Sequence, residues 1–231
     1  MSLEIVLALF EYLVMVLSIS IHDAAEAWTA NRLGDPTARM LGRISGNPLR
    51  HYDLWGTVVW PLLFLFRSPL VIGWGKDVPV TDRNLRHPSQ ANLIHLSGPI
   101  AQLLTATLCL IILVVLKHLS PAAAGSLTIV PLYALRSPVI PPATLPPLFP
   151  VILLLYLGIL VNILLFAFNL MPLPTLDGGK ILRYFLPYNA ARLYDQYSFY
   201  ITIGFLFLGF RLIYLIFSPL LSLYQSLLTS L

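Results

Sequence analysis

The sequence predicts an all-α polytopic membrane protein, and two observations carry the prediction. Hydrophobic residues make up 58% of the 231 residues and charged residues only 10%, against roughly 25% charged in an average soluble domain. Apolar runs of about 20 residues, the length that crosses a bilayer as a helix, recur along the chain. A soluble globular protein is nearly excluded, and a single membrane domain over residues 1–231 is the economical interpretation.

Four stretches are predicted to span the membrane, and two apolar stretches are not. The predicted spans are residues 4–31, 91–116, 150–171 and 198–218, with Pro219 ending the last one. Residues 54–75 contain an apolar run of 13 residues with a proline inside it, too short for a span, which favours a re-entrant or interfacial hairpin. Residues 120–149 are predicted to be an extended outer loop, because the stretch 121–150 holds eight of the 19 prolines.

The basic residues predict the orientation of the spans. Of the 14 Lys and Arg residues, eight lie within 32–90, three within 175–197, and only two flank the proline-rich loop. The positive-inside rule then places 32–90 and 175–197 in the cytoplasm and the N-terminus outside. Arg32, Arg39 and Arg43 are interpreted as anchors at the inner face, and the pattern indicates no nucleic-acid partner.

Three ionisable side chains lie close together near the end of the first span. His22 and Glu26 are four residues apart, so a helix places them on one face about 5–6 Å apart at Cβ, close enough to share a metal ion. Asp23 lies beside that face. Each charge within a span costs at least ~2.5 kcal/mol, so the group needs a metal, a partner or water. A solvated helix end is the open alternative, because His22 follows Glu4 by roughly 27 Å of helix.

A second polar segment, residues 169–179, follows the third span. Pro172 and Pro174 break the helix there, and freed backbone at membrane depth is tolerated where protein or a water-filled cavity surrounds it. Asp177 is then free to project as a ligand. The alternative is that Asp177 caps a short helix over 178–186.

Taken in order, these motifs resemble the site-2 protease family of intramembrane zinc metalloproteases, particularly its compact bacterial members. The resemblance covers residues 5–187 and is carried by the metal helix and by the segments 32–39, 42–43, 47–48, 73–75, 97–99 and 169–179. It implies one zinc ion held by His22, Glu26 and Asp177, with Asp23 as the general base. It also implies an active-site cavity lined by Gly98, Pro99, Gln102 and Asn169. A packing kink is the alternative role for Ser97-Gly98-Pro99.

The metal helix departs from the family pattern at two positions. His22-Asp23-Ala24-Ala25-Glu26 stands where the family has His-Glu-x-x-His. Glu26 can bind zinc through oxygen, but its charge lowers the Lewis acidity of the metal. Asp23 is one methylene shorter than glutamate, about 1.5 Å of reach.

The implied function is hydrolysis of peptide bonds in transmembrane substrates by metal-activated water, in a bacterial cell membrane. The expected partners are a transmembrane protein or peptide and membrane lipid. A pseudoprotease that binds membrane partners or metal, and an ion or proton pathway through the same carboxylates, are the alternatives. The remaining histidines have no motif and are interpreted as loop or packing residues: His51, His87, His95 and His118. The single cysteine, Cys109, excludes a disulfide within the chain.

Overall fold

A computed structural model describes residues 3–68, 70–137 and 145–231, and the regular structure in these ranges is helical. The α-helices are α1 Leu3–Leu33, α2 Thr37–Met40, α3 Trp60–Phe64, α4 Gln90–Leu119, α5 Pro121–Ala134, α6 Phe149–Asn169, α7 Asp177–Phe185, α8 Tyr188–Gln196 and α9 Ser198–Ser230. Short 3₁₀ turns lie at Pro48–Arg50 and Asp82–Asn84, and a π-helical segment at Leu54–Val59 leads directly into α3.

Four of the described helices contain a stretch long and apolar enough to cross a membrane. These stretches are Glu4–Leu33, Gln90–Leu119, Phe149–Asn169 and Arg211–Ser230. The prediction of an all-α integral membrane protein is therefore confirmed. The first three stretches coincide with the first three predicted spans to within a few residues.

Helix α6 forms the centre of the molecule. It carries no charged residue, and a helix that is apolar on all sides is buried by its neighbours. Those neighbours are α1, α4, α5 and α9. A buried hydrogen bond of 2.7 Å from Ser18 Oγ to Asn162 Oδ1 joins α1 to α6. The chain that leaves the end of α6 is thus held in a defined position beside α1.

The last helix is longer than predicted. Instead of ending at Pro219, α9 continues through that proline to Ser230, and among the described residues its apolar spanning stretch is Arg211–Ser230. A proline removes one backbone hydrogen bond from a helix. In apolar surroundings no water competes for the remaining backbone groups, so the helix is the arrangement that satisfies them.

The first half of the proline-rich segment is also helical, which corrects the prediction of an extended loop over 120–149. Pro121 occupies the first turn of α5, where its missing N–H would have no intrahelical partner in any residue. Pro131 lies in the last turn and removes a single hydrogen bond. Residues 138–144 of the predicted loop lie outside the described residues.

The described residues of the segment 54–75 form two limbs whose starting and finishing ends lie beside each other. The outgoing limb is the π-helical segment and α3, and the returning limb is irregular. At the base, Trp74 N donates to Gly56 O at 3.2 Å and Lys76 N donates to His51 O at 3.0 Å. The described residues of this segment, 54–68 and 70–75, therefore form a hairpin, and its re-entrant or interfacial position in the membrane stays a prediction.

The far end of the hairpin is fastened by Arg136. Its Nη2 donates to Leu65 O at 2.5 Å and to Glu11 Oε2 of α1 at 3.1 Å. Glu11 is buried, so this ion pair lies in the interior. One arginine therefore joins the hairpin, α1 and the segment that follows α5.

The turn after α1 is organised by the buried carboxylate of Asp35. Its oxygens accept hydrogen bonds from Thr37, from Thr81 N at 2.7 Å and from Asn84 Nδ2 at 2.8 Å. Burial acts to raise the pKa of Asp35, but the hydrogen bonds from Thr37 and Asn84 outweigh it and hold the pKa below its ordinary value. This contact ties the end of α1 to the chain that enters α4.

Candidate metal centre

The structure brings His22, Glu26 and Asp177 to one point. Each offers a ligand atom, and these atoms all lie within 4.8 Å of one another. Nε2 of His22 lies 3.0 Å from Oδ2 of Asp177. All three residues are buried, at 6%, 3% and 4% exposure. This burial argues against the alternative of a solvated helix end.

Asp177 reaches the cluster because the chain breaks after α6. Pro172 and Pro174 separate α6 from α7, and α7 begins at Asp177, so the residue at the cap position is Leu176. A Cβ on Gly179 would lie 1.7 Å from the carbonyl oxygen of Leu173, so only glycine allows α7 to pack this closely on the broken segment. The side chain of Asp177 points to His22 and is not the cap of the helix.

The charges around Asp177 favour its ionised form. Burial acts to raise the pKa of Asp177, but the hydrogen bond from His22 and the charge of Lys180 outweigh it and lower the pKa below its ordinary value. Lys180 Nζ lies 3.7 Å from Oδ1 of Asp177 and 3.2 Å from Oδ1 of Asp77. Burial acts to lower the pKa of Lys180, but the carboxylates of Glu26, Asp177 and Asp77 raise it above its ordinary value. An ammonium group therefore balances part of the negative charge.

Helix α4 supports the ring of His22 from behind. A Cβ on Gly98 would lie 2.5 Å from Cε1 and Nε2 of His22, so the ring occupies the space that a side chain at position 98 would need. Gly98 and Pro99 are both buried. Neither is among the residues that line the cavity, because α4 packs directly against α1 here. Gln102 and Asn169 do line the cavity.

Two amides determine how His22 presents its ring. Asn169 Nδ2 lies 3.4 Å from Nδ1 of His22 and donates to Gln102 Oε1 at 3.2 Å, while Gln102 Nε2 is buried with no hydrogen-bond partner. If both amides turn by half a rotation, Asn169 Oδ1 accepts from Nδ1–H of His22 and from Gln102 Nε2–H. In that arrangement Nδ1–H of His22 has an acceptor, so Nε2 can give up the proton that it shares with Asp177 in the hydrogen bond and bind a metal instead. With one imidazole and two carboxylates, the residues fit a zinc ion.

Asp23 lines the same cavity but has different partners. Its Oδ2 accepts from Nη2 of Arg43 at 3.2 Å and lies 3.2 Å from Nδ1 of His51. The other ring nitrogen of His51 lies 2.7 Å from Ser45 O. The predicted base therefore has two partners, Arg43 and His51, at the same oxygen.

Sequence reasoning missed these partners of the site residues. Arg43 was interpreted as an inner-face anchor and His51 as a loop or packing histidine, yet both contact Asp23. His95 was also interpreted as a packing residue, yet its Nδ1 lies 3.2 Å from Oε1 of Glu26 and 3.8 Å from Oδ1 of Asp177. The available signal was that His95 is an ionisable residue within an apolar span, which is rare without a role.

A cavity of about 980 Å³ opens onto the cluster. Its walls are formed by α1, the hairpin, the broken segment before α7 and the first half of α9. The hairpin contributes aromatic side chains, Trp60, Phe64 and Trp74, and α9 contributes Thr202 and Phe205. The volume is large enough for several residues of another chain, and most of the lining residues are apolar.

Known proteins resemble this chain over most of its length. The model of peptidase family M50 matches residues 10–209. A protein of Bacillus subtilis (strain 168) named "Putative zinc metalloprotease YwhC" is 30% identical over 207 residues, which cover 87% of this chain and 81% of that protein. No solved structure gives a significant match.

Proposed function

The chain belongs to peptidase family M50, the site-2 protease family, and from this premise we propose that it hydrolyses peptide bonds of transmembrane proteins at a zinc site inside the membrane. The observation that carries the proposal is the convergence of His22, Glu26 and Asp177 within 4.8 Å at the wall of a large cavity. Buried ionisable groups in a membrane protein are costly, and a metal ion that neutralises two carboxylates offsets that cost.

In this proposal His22, Glu26 and Asp177 hold the zinc ion and Asp23 is the general base. A bound zinc ion supplies Lewis acidity and makes water a stronger acid. Asn169 orients the ring of His22, and Lys180 stabilises negative charge beside Asp177. The contacts with Arg43 and His51 both involve Oδ2 of Asp23, so Oδ1 would be the oxygen that accepts a proton from water.

The substrate class follows from the cavity. The aromatic and aliphatic walls of the cavity suit a substrate segment of apolar sequence. For hydrolysis at the polar cluster, the peptide backbone of that substrate must be accessible there. A substrate helix must unwind locally, since helical backbone groups are bonded to one another. We therefore expect transmembrane substrates with helix-breaking residues near the cleaved bond.

The cluster lies at one end of the bundle, near the end of α1 and the beginning of α4. The charge distribution of the loops supports a proposed position near the cytoplasmic side, with the N-terminus outside and residues 32–90 and 175–197 in the cytoplasm. The proposed location is the cell membrane of a bacterium.

One observation favours a second candidate function, a pseudoprotease that binds membrane segments or metal without cutting. The side chain of Asp23 is one methylene shorter than the glutamate of the family pattern, and its carboxylate contacts Arg43 and His51. A displacement near 1 Å from productive geometry can cost ~100-fold in rate. The cavity would serve a binding protein equally well.

The test of the proposed function is cleavage of a transmembrane reporter by the full chain in liposomes, with zinc and with a chelator. We expect zinc-dependent cleavage that is lost in Asp177→Asn, because this variant removes a ligand charge without changing size. Asp195→Asn is the matched control, since Asp195 forms a surface ion pair with Arg183 outside the cavity. Cleavage that survives both the chelator and Asp177→Asn would contradict the proposal.

A double variant separates the protease from the pseudoprotease. Asp23→Glu with Glu26→His returns the missing reach to the base and removes one negative charge from the metal site. If the wild-type chain cuts slowly only for those reasons, the double variant cuts faster. A folded, zinc-binding double variant that still fails to cut favours the binding protein, because the defect then lies in the cavity.

A further inference from the structure

His95 occupies an unusual position for a histidine assigned to packing. It lies in the second turn of α4, and no Asp, Glu, His, Lys or Arg follows in that helix before Lys117. Its side chain is 14% exposed and turns Nδ1 toward two carboxylates from two different elements, Glu26 of α1 and Asp177 of α7. Those are two of the three residues of the cluster.

We propose that His95 is a metal ligand, so that the ion is held by His22, His95, Glu26 and Asp177. The inference rests on the proposed function only in requiring that the cluster bind a metal. It assigns a role to a residue that no helix motif in the sequence indicates. The second imidazole of the site then comes from α4 instead of from α1.

The distances suit a ligand. With bonds of 2.0–2.1 Å in a tetrahedral arrangement, two ligand atoms of a zinc ion lie about 3.3 Å apart. Nδ1 of His95 lies 3.2 Å from Oε1 of Glu26 and 3.8 Å from Oδ1 of Asp177, and Nε2 of His22 lies 3.0 Å from Oδ2 of Asp177. These three pairs lie within about 0.5 Å of that spacing, with His22 facing Oδ2 of Asp177 and His95 facing Oδ1.

The chemistry of the donor set supports the same conclusion. Three ligands with two carboxylates neutralise a divalent ion completely and offer it one imidazole. A second neutral imidazole adds a nitrogen donor, which zinc prefers, without adding charge. Four protein ligands also fill a tetrahedral site. Water then enters only if the ion accepts a fifth ligand or if one carboxylate withdraws.

The competing role for His95 is that of a positioning residue that donates a hydrogen bond to Glu26 and never touches the metal. A positioning histidine commonly bonds the outer oxygen of one carboxylate. His95 instead faces carboxylates from two elements, which is the position of a group that shares their ligand. The two roles differ in the number of imidazoles bound to the ion.

That number is measured by X-ray absorption at the zinc edge of the purified, zinc-loaded full chain. We expect two imidazoles in the wild type and one in His95→Ala, with zinc affinity reduced more than the 10–100-fold typical of residues outside the coordination sphere. His118→Ala is the matched control, because His118 lies at the opposite end of α4 and bonds the carbonyl of Leu231. It should leave both the count and the affinity unchanged.

A second variant gives an independent spectroscopic readout. In His95→Cys loaded with cobalt, a thiolate bound to the ion produces a charge-transfer absorption band that the wild type lacks. The native Cys109 is an internal control, since it lies 14 residues further along α4, roughly 21 Å away. The band should appear only in the variant.

The outcomes separate this inference from the proposed function. One imidazole in the wild type, or cobalt-loaded His95→Cys without a thiolate band, overturns the inference, even if the protein cleaves substrates. Two imidazoles in a protein that never cleaves support the inference and contradict the protease. Failure of the wild type to bind zinc or cobalt overturns both.

Discussion

Gly98 is the position where one added methyl group would disturb the metal centre most directly. In Gly98→Ala the new Cβ would lie 2.5 Å from Cε1 and Nε2 of His22 and 2.7 Å from Nδ1. Ordinary contacts between such atoms are about 3.5–4.0 Å, so the ring must move by about 1 Å. The ring is rigid and already packed, so it cannot rotate a flexible end out of the way. The new Cβ also meets the ring of Pro99, since a side chain before proline disfavours helical backbone.

The magnitude follows from the tolerance of a metal site. Metal–ligand distances vary by only about 0.2 Å. The methyl group requires the ring to move by about 1 Å, which is about five times that tolerance. We expect zinc affinity to fall on the order of 100-fold, about 2.7 kcal/mol. Overpacking costs about 1–3 kcal/mol of folding free energy, and replacing a helical glycine by alanine returns about 0.5–1 kcal/mol. Stability should therefore fall less than metal binding.

The assay pairs a zinc titration against a competing chelator with thermal unfolding in detergent. Gly125→Ala in α5 is the matched control, because a Cβ there meets no atom within 4 Å. That variant should keep its zinc affinity and unfold at an equal or higher temperature. If Gly98→Ala binds zinc as tightly as the wild type does, then the close contact between α4 and His22 does not determine the geometry of the site.

Two further predictions concern the scaffold. In Glu11→Ala the guanidinium of Arg136 loses its buried carboxylate, and we expect the free energy of unfolding, measured by detergent-induced unfolding, to fall by about 3–5 kcal/mol; a loss below about 1 kcal/mol would indicate a solvated pair. In Asp35→Asn the anionic acceptor for Thr81 N and Asn84 is lost, at a cost of about 1–3 kcal/mol. Because the pKa of Asp35 is lowered on folding, the wild type should keep this advantage above pH ~4 and lose it as the pH falls through the folded pKa. A difference between wild type and variant that is unchanged from pH 7 to pH 3 would contradict that assignment.

Features set by local sequence were the ones that could be predicted. The runs that form α1, α4 and α6 are long and apolar, and the four-residue spacing of His22 and Glu26 requires only a helix. Asp177 was identified because two prolines break the chain before it. In each case the physical cause lies within about 20 residues of its effect.

Features that depend on how the helices cross could not be predicted. His95 and Glu26 are 69 residues apart along the chain, and they meet because α4 crosses α1 at these two residues. Arg43 and His51 reach Asp23 from 20 and 28 residues away. The proline content also misled the prediction for α5, because the positions of the prolines within the helix matter more than their number.

The hydrogen bonds of Arg136 couple the position of the hairpin to that of α1. Glu11 lies 11 residues before His22 in α1, roughly 16 Å along the same rod. A molecule in the cavity that displaced the hairpin would also displace Arg136, which is bonded to Leu65 of the hairpin and to Glu11 of α1. Because Glu11 lies on the same helix as His22 and Glu26, that helix would be displaced as well. In the proposed protease, a displacement of the hairpin by an entering substrate would therefore be transmitted along α1 to His22 and Glu26, two of the proposed zinc ligands.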